Sequence, residues 1–213
     1  MKISVFDLDH TLLKVNSSSE FGIYLFRQKI ISLSTLSMCL MNYFFHKFCN
    51  LSIKKLHKNI FAILFNGKSS SEINCQVTRF LNLKFTSFIR HSALQRLQIA
   101  RQRGDYLVIL SSSPNFLVEP IARLFGVNEW VATQYCENES KDLSYISSFC
   151  QGEDKADFVK LLSARFDIPL TAFTMYSDSY LDLPAMLIVG QAVGVSPDRK
   201  LKKICLQKGW EIL

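Results

Sequence analysis

Asp7 and Asp9 follow directly on an apolar run in "KISVFDLDHTLL", residues 2 to 13. If that run is a strand, side chains at i and i+2 share a face, so both carboxylates can reach one point beyond the strand end. Two like charges that close call for a cation between or beside them. A second acidic loop, "MYSDSYLDLPAM", places Asp178 and Asp182 after another apolar run. Asp178 would join Asp7 around a hard cation there, and an oxygen shell completed by water suits Mg²⁺. In "VILSSSPNF" an apolar run passes into Ser111, with Pro114 at a helix start. Its hydroxyl and the free backbone N–H groups of a helix N-terminus suit an anion such as phosphate. Lys155 in "GEDKADF" falls in the first turn of a helix, where the dipole disfavours a cation by about 0.3 to 1 kcal/mol. That placement hints at another use for the ammonium. Taken singly, each acidic residue reads as well as a loop cap or turn former.

The elements that must carry these residues alternate. Short apolar runs at 2–7, 106–110, 172–176 and 188–195, bounded by Gly, Ser, Asp or Pro, read as parallel strands covered on both faces. Helical patterns lie between them over 88–103, 114–125 and 154–166, the first two stopped by Gly104 and Gly126. Strand and helix in turn predict a doubly wound α/β sheet. In such a sheet ligands bind beyond the carboxyl ends of the strands, where all four sets fall. Residues 14–84 break the alternation. They read as several helices with a loop at 66–72, inserted into a core made of 1–13 and 85–213. Within the insertion, residues 30–46 carry no formal charge and are rich in Leu, Ile, Met and Phe. At 17 residues the stretch sits at the lower limit for a membrane span, so a buried helix of the insertion is expected rather than a membrane-associated one.

A chain of 213 residues with 48% hydrophobic content can bury a core. Its six cysteines form no CxxC pair, which suits reduced thiols in a cytosolic protein, with a Cys136–Cys150 bridge as the alternative. The first apolar run reaches Asp7 too soon for a signal peptide, so the mature chain is expected to begin near Met1. The net charge of +7 is uneven: residues 14–84 hold ten Lys and Arg against Glu20 and Glu72, and the rest holds fifteen against sixteen. A basic segment favours a phosphorylated small molecule or an anionic lipid surface. Nucleic acid is not expected, because no recognition motif accompanies the charge. "AILFNGKS", residues 62–69, lacks the first glycine of a P-loop and follows a helical run, so it is not taken as a phosphate site. Residues 135–150 read as a surface hairpin rather than a site.

"FDLDHTLL", "VILSSSP", "GEDK" and "YSDSYLDLP" stand in that order on successive elements and resemble the four motifs of the haloacid dehalogenase superfamily. The resemblance runs nearly end to end, including the tail "AVGVSPDRKLKKICLQKGWEIL", and points to the phosphoserine-phosphatase-like branch, subfamily IB. It implies a Rossmann-like α/β core with an inserted α-helical cap domain, and an Mg²⁺-dependent phosphomonoesterase. By that similarity Asp7 would be the nucleophile that forms an aspartyl-phosphate. Asp9 would protonate the leaving alcohol and then activate water, its backbone carbonyl helping to bind the metal. Mg²⁺ would be held by Asp7, Asp9 and Asp178 with Asp182 in support, and Ser111, Ser112 and Lys155 would contact the phosphate oxygens. The cap would close over the site and select the leaving group.

Three departures from that branch bear on the substrate. Asn16 stands where phosphoserine phosphatases carry a glutamate for the substrate amine, Ser112 and Ser113 replace two glycines, and Leu181 replaces an asparagine. They leave phosphatase chemistry intact and weaken the case for serine phosphate. A basic insertion with one apolar helix would also suit a phospholipid headgroup, such as a lysophosphatidate or phosphatidylglycerophosphate type. The expected location is the cytoplasm, with weak attachment to an anionic membrane as a secondary expectation. The competing readings are a non-catalytic phosphate-ligand or membrane-surface binding protein that keeps the fold, and a phosphotransferase that uses an acceptor other than water. His10 has no role beyond local packing.

Overall fold

The computed structural model describes every residue except Asn50, and Lys47 by its backbone alone. Among the described residues, seven strands form one sheet: β1 (Ile3–Phe6), β2 (Tyr106–Pro114), β3 (Glu129–Glu137), β4 (Leu143–Ser148), β5 (Phe173–Ser177), β6 (Gln191–Gly194) and β7 (Glu211–Ile212). Their spatial order is β4-β3-β2-β1-β5-β6-β7, and all neighbours are parallel except the antiparallel pair β3–β4. β1 therefore lies in the middle, with the ends of β2 and β5 on either side of its own.

Alternation along the strands sends side chains to two apolar layers. Ile3 and Val5 of β1, Val108 and Leu110 of β2 and Met175 of β5 join one layer. It is closed by α7 (Glu153–Phe166), α8 (Leu183–Ile188) and α9 (Arg199–Lys208). Phe6, Leu107, Ile109 and Tyr176 face the other, where α5 (His91–Gln102) and α6 (Asn115–Phe125) pack. Helices on both faces of a mostly parallel sheet make this a doubly wound α/β fold, as the alternation predicts. The expected strand over 188–195 is shorter than read. Ile188 ends α8, which Pro184 helps to start, and the strand opens only at Gln191. Between them Gly190 lies so close to the Thr171 backbone that any Cβ would overlap it.

Among the described residues, four helices fill the insertion: α1 (Ser17–Arg27), α2 (Leu33–Phe48), α3 (Ile53–Leu64) and α4 (Ser70–Phe88). The chain leaves and re-enters the core through a narrow stem. Leu13 pairs with Ile89, Lys14 N–H donates to the Phe88 carbonyl at 2.7 Å, and Arg90 N–H donates to the Leu12 carbonyl at 2.9 Å. The boundary read at 84/85 thus falls inside a continuous helix, because apolar Phe80, Leu81 and Phe88 keep α4 packed through its last turn. The loop before α4 is bound to the β3–β4 hairpin by Gly67 N–H to Leu143 O at 2.8 Å and Ser70 N–H to Lys141 O at 3.0 Å.

The apolar stretch 30–46 is not buried. None of the described residues of α2 lies in the core, and Leu33, Met38, Met41, Phe44, Phe45 and Phe48 are exposed. Among the described residues the helix packs chiefly on α3 and α1, and its other side is exposed. No described helix is long and apolar enough to cross a membrane. All six cysteines are free, so the Cys136–Cys150 alternative falls away; Cys150 is buried and Cys136 lies 3.2 Å from the Ser147 hydroxyl.

Candidate active site

β1 stops at Phe6, one residue before the first aspartate, because the chain then opens into a wide turn over Leu8–Leu12. Asp7 N–H still donates to the Tyr176 carbonyl at 2.9 Å, which fixes its carboxylate beside the end of β5. Asp9 lies in the turn rather than on the strand, so the turn and not strand periodicity brings it to the cavity that Asp7 lines. His10 has a left-handed backbone, φ 60°, a region in which His is tolerated better than most residues. It therefore makes the turn possible, and its ring lies 3.3 Å from the Lys14 carbonyl.

Both oxygens of Asp9 are occupied. Ser17 N–H donates to Oδ1 at 2.6 Å and Ser113 Oγ donates to Oδ2 at 2.5 Å. Lys155, only 2% exposed, sits between two carboxylates, with Nζ 2.7 Å from Asp7 Oδ1 and 2.8 Å from Asp182 Oδ2. Ser177 Oγ also donates to Asp182 Oδ2, at 2.7 Å. Asp178 exchanges two bonds with Thr11: Thr11 Oγ1 donates to its carboxylate at 3.1 Å and accepts its N–H at 3.0 Å.

Burial governs the ionisation of this group. Desolvation raises the Asp7 carboxyl well above its ordinary value, with the Lys155 ammonium opposing and Asp182 and Asp178 adding to the rise. Burial likewise pushes Asp178 up to about 6, against the pull of His10 and Thr11. Burial alone would lower Lys155, but Asp182 and Asp7 more than offset it and its pKa is raised. The ammonium is thus charged and committed at neutral pH.

Three carboxylates, Asp7, Asp178 and Asp182, stand against this one ammonium. An excess of hard oxygen donors, two of them driven toward protonation by burial, fits a divalent cation such as Mg²⁺. Among the described residues no three His, Cys, Asp or Glu side chains converge tightly enough to hold a metal unaided. Backbone oxygen and water would complete the shell.

The serine cluster is arranged differently from its reading. Ser111 is 1% exposed and does not line the cavity in front of Asp7; its Oγ accepts the N–H of Ser113 at 3.1 Å. Ser112 and Ser113 do line it, after an irregularity in β2 pairing between Leu110 and Pro114 turns the chain outward. Thr11, Ser17, Ser113 and Ser177 are site residues that sequence reasoning missed. Such residues are common in loops, and only the acids they meet, through a hydroxyl or, for Ser17, its backbone N–H, mark them out. Asn16 caps α1, accepting Ser19 N–H at 2.9 Å, and also lines the cavity.

That cavity, about 540 Å³, joins Asp7, Asp9, Lys155, Asp178 and Asp182 to side chains of α1, α2 and α3. Tyr135 of the β3–β4 hairpin, a segment read as lying outside any site, is part of its wall.

A model of haloacid dehalogenase-like hydrolases matches residues 4–187. A probable phosphatase of Mycobacterium tuberculosis is 31% identical over 147 residues, 69% of this chain and 51% of its own length. This chain therefore spans about half the length of that relative. A histidinol-phosphatase of Neisseria meningitidis is 27% identical over 99% of this chain and 97% of its own. Among solved structures, a phospho-aspartyl intermediate analogue of phosphoserine phosphatase superposes with a TM-score of 0.73 over 99% of this chain and 91% of its own, at 13% identity. That likeness speaks for the fold.

Proposed function

The chain belongs to the haloacid dehalogenase-like hydrolases, and from that membership we propose that it is an Mg²⁺-dependent phosphomonoesterase working through an aspartyl-phosphate. The observation that carries the reading is the buried Lys155 ammonium held between Asp7 and Asp182, beside Asp178 and Asp9 on one cavity. Phosphatases among the relatives agree with it.

In this reading an Asp7 oxygen attacks phosphorus, the new O–P bond forms as the ester P–O bond breaks, and Asp9 gives a proton to the departing alcohol. Asp9 then takes a proton from water, whose oxygen bonds to phosphorus as the Asp7 O–P bond breaks, releasing inorganic phosphate and returning the Asp7 carboxylate. The bonds from Ser17 N–H and Ser113 Oγ hold Asp9 in one orientation for both steps. Lys155 shields the phosphate oxygens from Asp7 and fixes the nucleophile, while Ser112 offers a hydroxyl at the cavity wall and Ser111 holds the turn behind it. Mg²⁺, held by Asp7, Asp178 and the Asp9 carbonyl with Asp182 in support, would offset charge on the transferring oxygens. Residues 14 to about 88 would serve as the cap that covers the site. Phosphate release from phenyl phosphate is expected to need Mg²⁺ and to vanish with chelator or in Asp7→Asn. Release that survives both would overturn the reading.

A further inference from the structure

The insertion carries ten Lys and Arg and two acids over residues 14–84, yet among the described side chains, which leave out Lys47, none of these lines the cavity. Among the described residues, the four carboxylates of the wall and Lys155 all come from the core. Besides the uncharged polar groups of Asn16, Ser18, Ser19 and Tyr43 and the imidazole of His46, the insertion supplies Leu36, Leu40, Leu56, Ile60, Leu64 and Phe65. A polar pair lies among them: His57 Nδ1 is 3.1 Å from Tyr135 Oη, and the Tyr135 ring is in edge contact with Phe61 and Phe65. Burial, reinforced by His46, lowers His57 to about 4, so the imidazole is neutral.

We propose that the ester taken by this site has an uncharged, mainly apolar leaving group, seated against α2 and α3 with a polar atom on the His57–Tyr135 pair. The inference rests on the phosphomonoesterase reading and names its substrate class. An ammonium on the leaving group would shed its water against a wall with no carboxylate to receive it. The core carboxylates are already bonded to Lys155, Thr11, Ser17 and Ser113. A hydrocarbon or aromatic group gains by burial there, and about 540 Å³ is room for a molecule well beyond serine.

The test compares kcat/KM of the Mg²⁺-loaded protein for ethyl, butyl and hexyl phosphate, 2-aminoethyl phosphate and phosphoserine. A rise of about threefold per added methylene is expected, with both amine-bearing esters below ethyl phosphate. A flat alkyl series, or an amine-bearing ester as fast as the alkyl ester of its length, overturns the proposal while leaving the phosphatase reading intact. Calorimetry with hexylphosphonate and 2-aminoethylphosphonate reads the same preference without turnover. Preferential hexylphosphonate binding with no ester hydrolysed would retire the enzymatic reading and keep the assignment of the wall; equal or reversed binding removes the assignment. Leu40, 56% exposed on α2, tolerates change. Leu40→Glu is expected to lower the hexyl to aminoethyl ratio at least fivefold, and an unmoved ratio also overturns the proposal.

Discussion

The core and the insertion build one cavity from opposite materials. On the core side every charged group is tied to a named partner: Asp7 and Asp182 to Lys155, Asp9 to Ser17 and Ser113, Asp178 to Thr11. On the insertion side the wall is mostly apolar, and α2, which supplies part of it, leaves its other side bare. Directional bonds fix atoms to within tenths of an ångström, whereas apolar contact fixes only shape and volume. Under the proposed function, the difference gives the bond-making step to the core and the choice of ester to the insertion.

Substitutions on the two sides should therefore separate kcat from KM. Asp7→Asn is expected to lower kcat by at least about 10⁴-fold while the circular dichroism spectrum is kept, since a near-isosteric amide replaces a carboxyl that burial already pushes toward neutrality. Residual turnover of a tenth would mean that attack comes from elsewhere. Lys155→Met follows, with a loss of about 10² to 10³ in kcat and about 3 kcal/mol in urea unfolding, because it leaves two buried carboxylates without their ammonium. A loss in kcat with unchanged stability would place Lys155 outside the structural network.

Binding of Mg²⁺ should follow pH. Burial lets the folded protein keep the Asp178 proton up to about pH 6, and the cation takes the ionised form. Affinity should thus climb up to about tenfold per pH unit below 6, more steeply if Asp7 releases a proton as well, and level off above. Titration from pH 5 to 8 that finds a constant affinity would remove Asp178 from the ligand set. The smallest effect belongs to the other wall: Leu56→Ala should raise KM for hexyl phosphate about threefold to tenfold and leave kcat within twofold. A fall in kcat instead would dissolve the contrast between the two sides.

Much of the core was legible in the chain. Apolar runs ending in Asp or Ser named β1, β2, β5 and β6 and the residues at their ends, because a strand buried on both faces has to be apolar until it reaches the site, whereas the outer strands β3, β4 and β7 carry polar residues and were not read as strands of this sheet. Ser113 was not legible. Three consecutive serines look alike in sequence, and only the irregular pairing after Leu110 decides that Ser113 reaches Asp9 and Ser111 turns inward. The role of His10 was hidden for a similar reason, since a left-handed φ leaves no periodic trace. The apolar stretch now seen as α2 was misread as buried because hydropathy reports what a face prefers and not what is available to cover it.

What the sequence determined by itself is the class of fold and where its polar groups gather: the order of Asp7, Asp9, Lys155, Asp178 and Asp182 on alternating elements admits few folds, and in a mostly parallel sheet they meet on one cavity. What only the tertiary structure decided is how that cavity meets the insertion. The described basic residues of 14–84 stay out of the cavity lining while leucines of the segment join it, and Tyr135 arrives from a hairpin some seventy to one hundred residues further along the chain. Contacts between distant segments depend on how helices pack across a narrow stem, and such packing is set by the shape of both surfaces together rather than by local sequence.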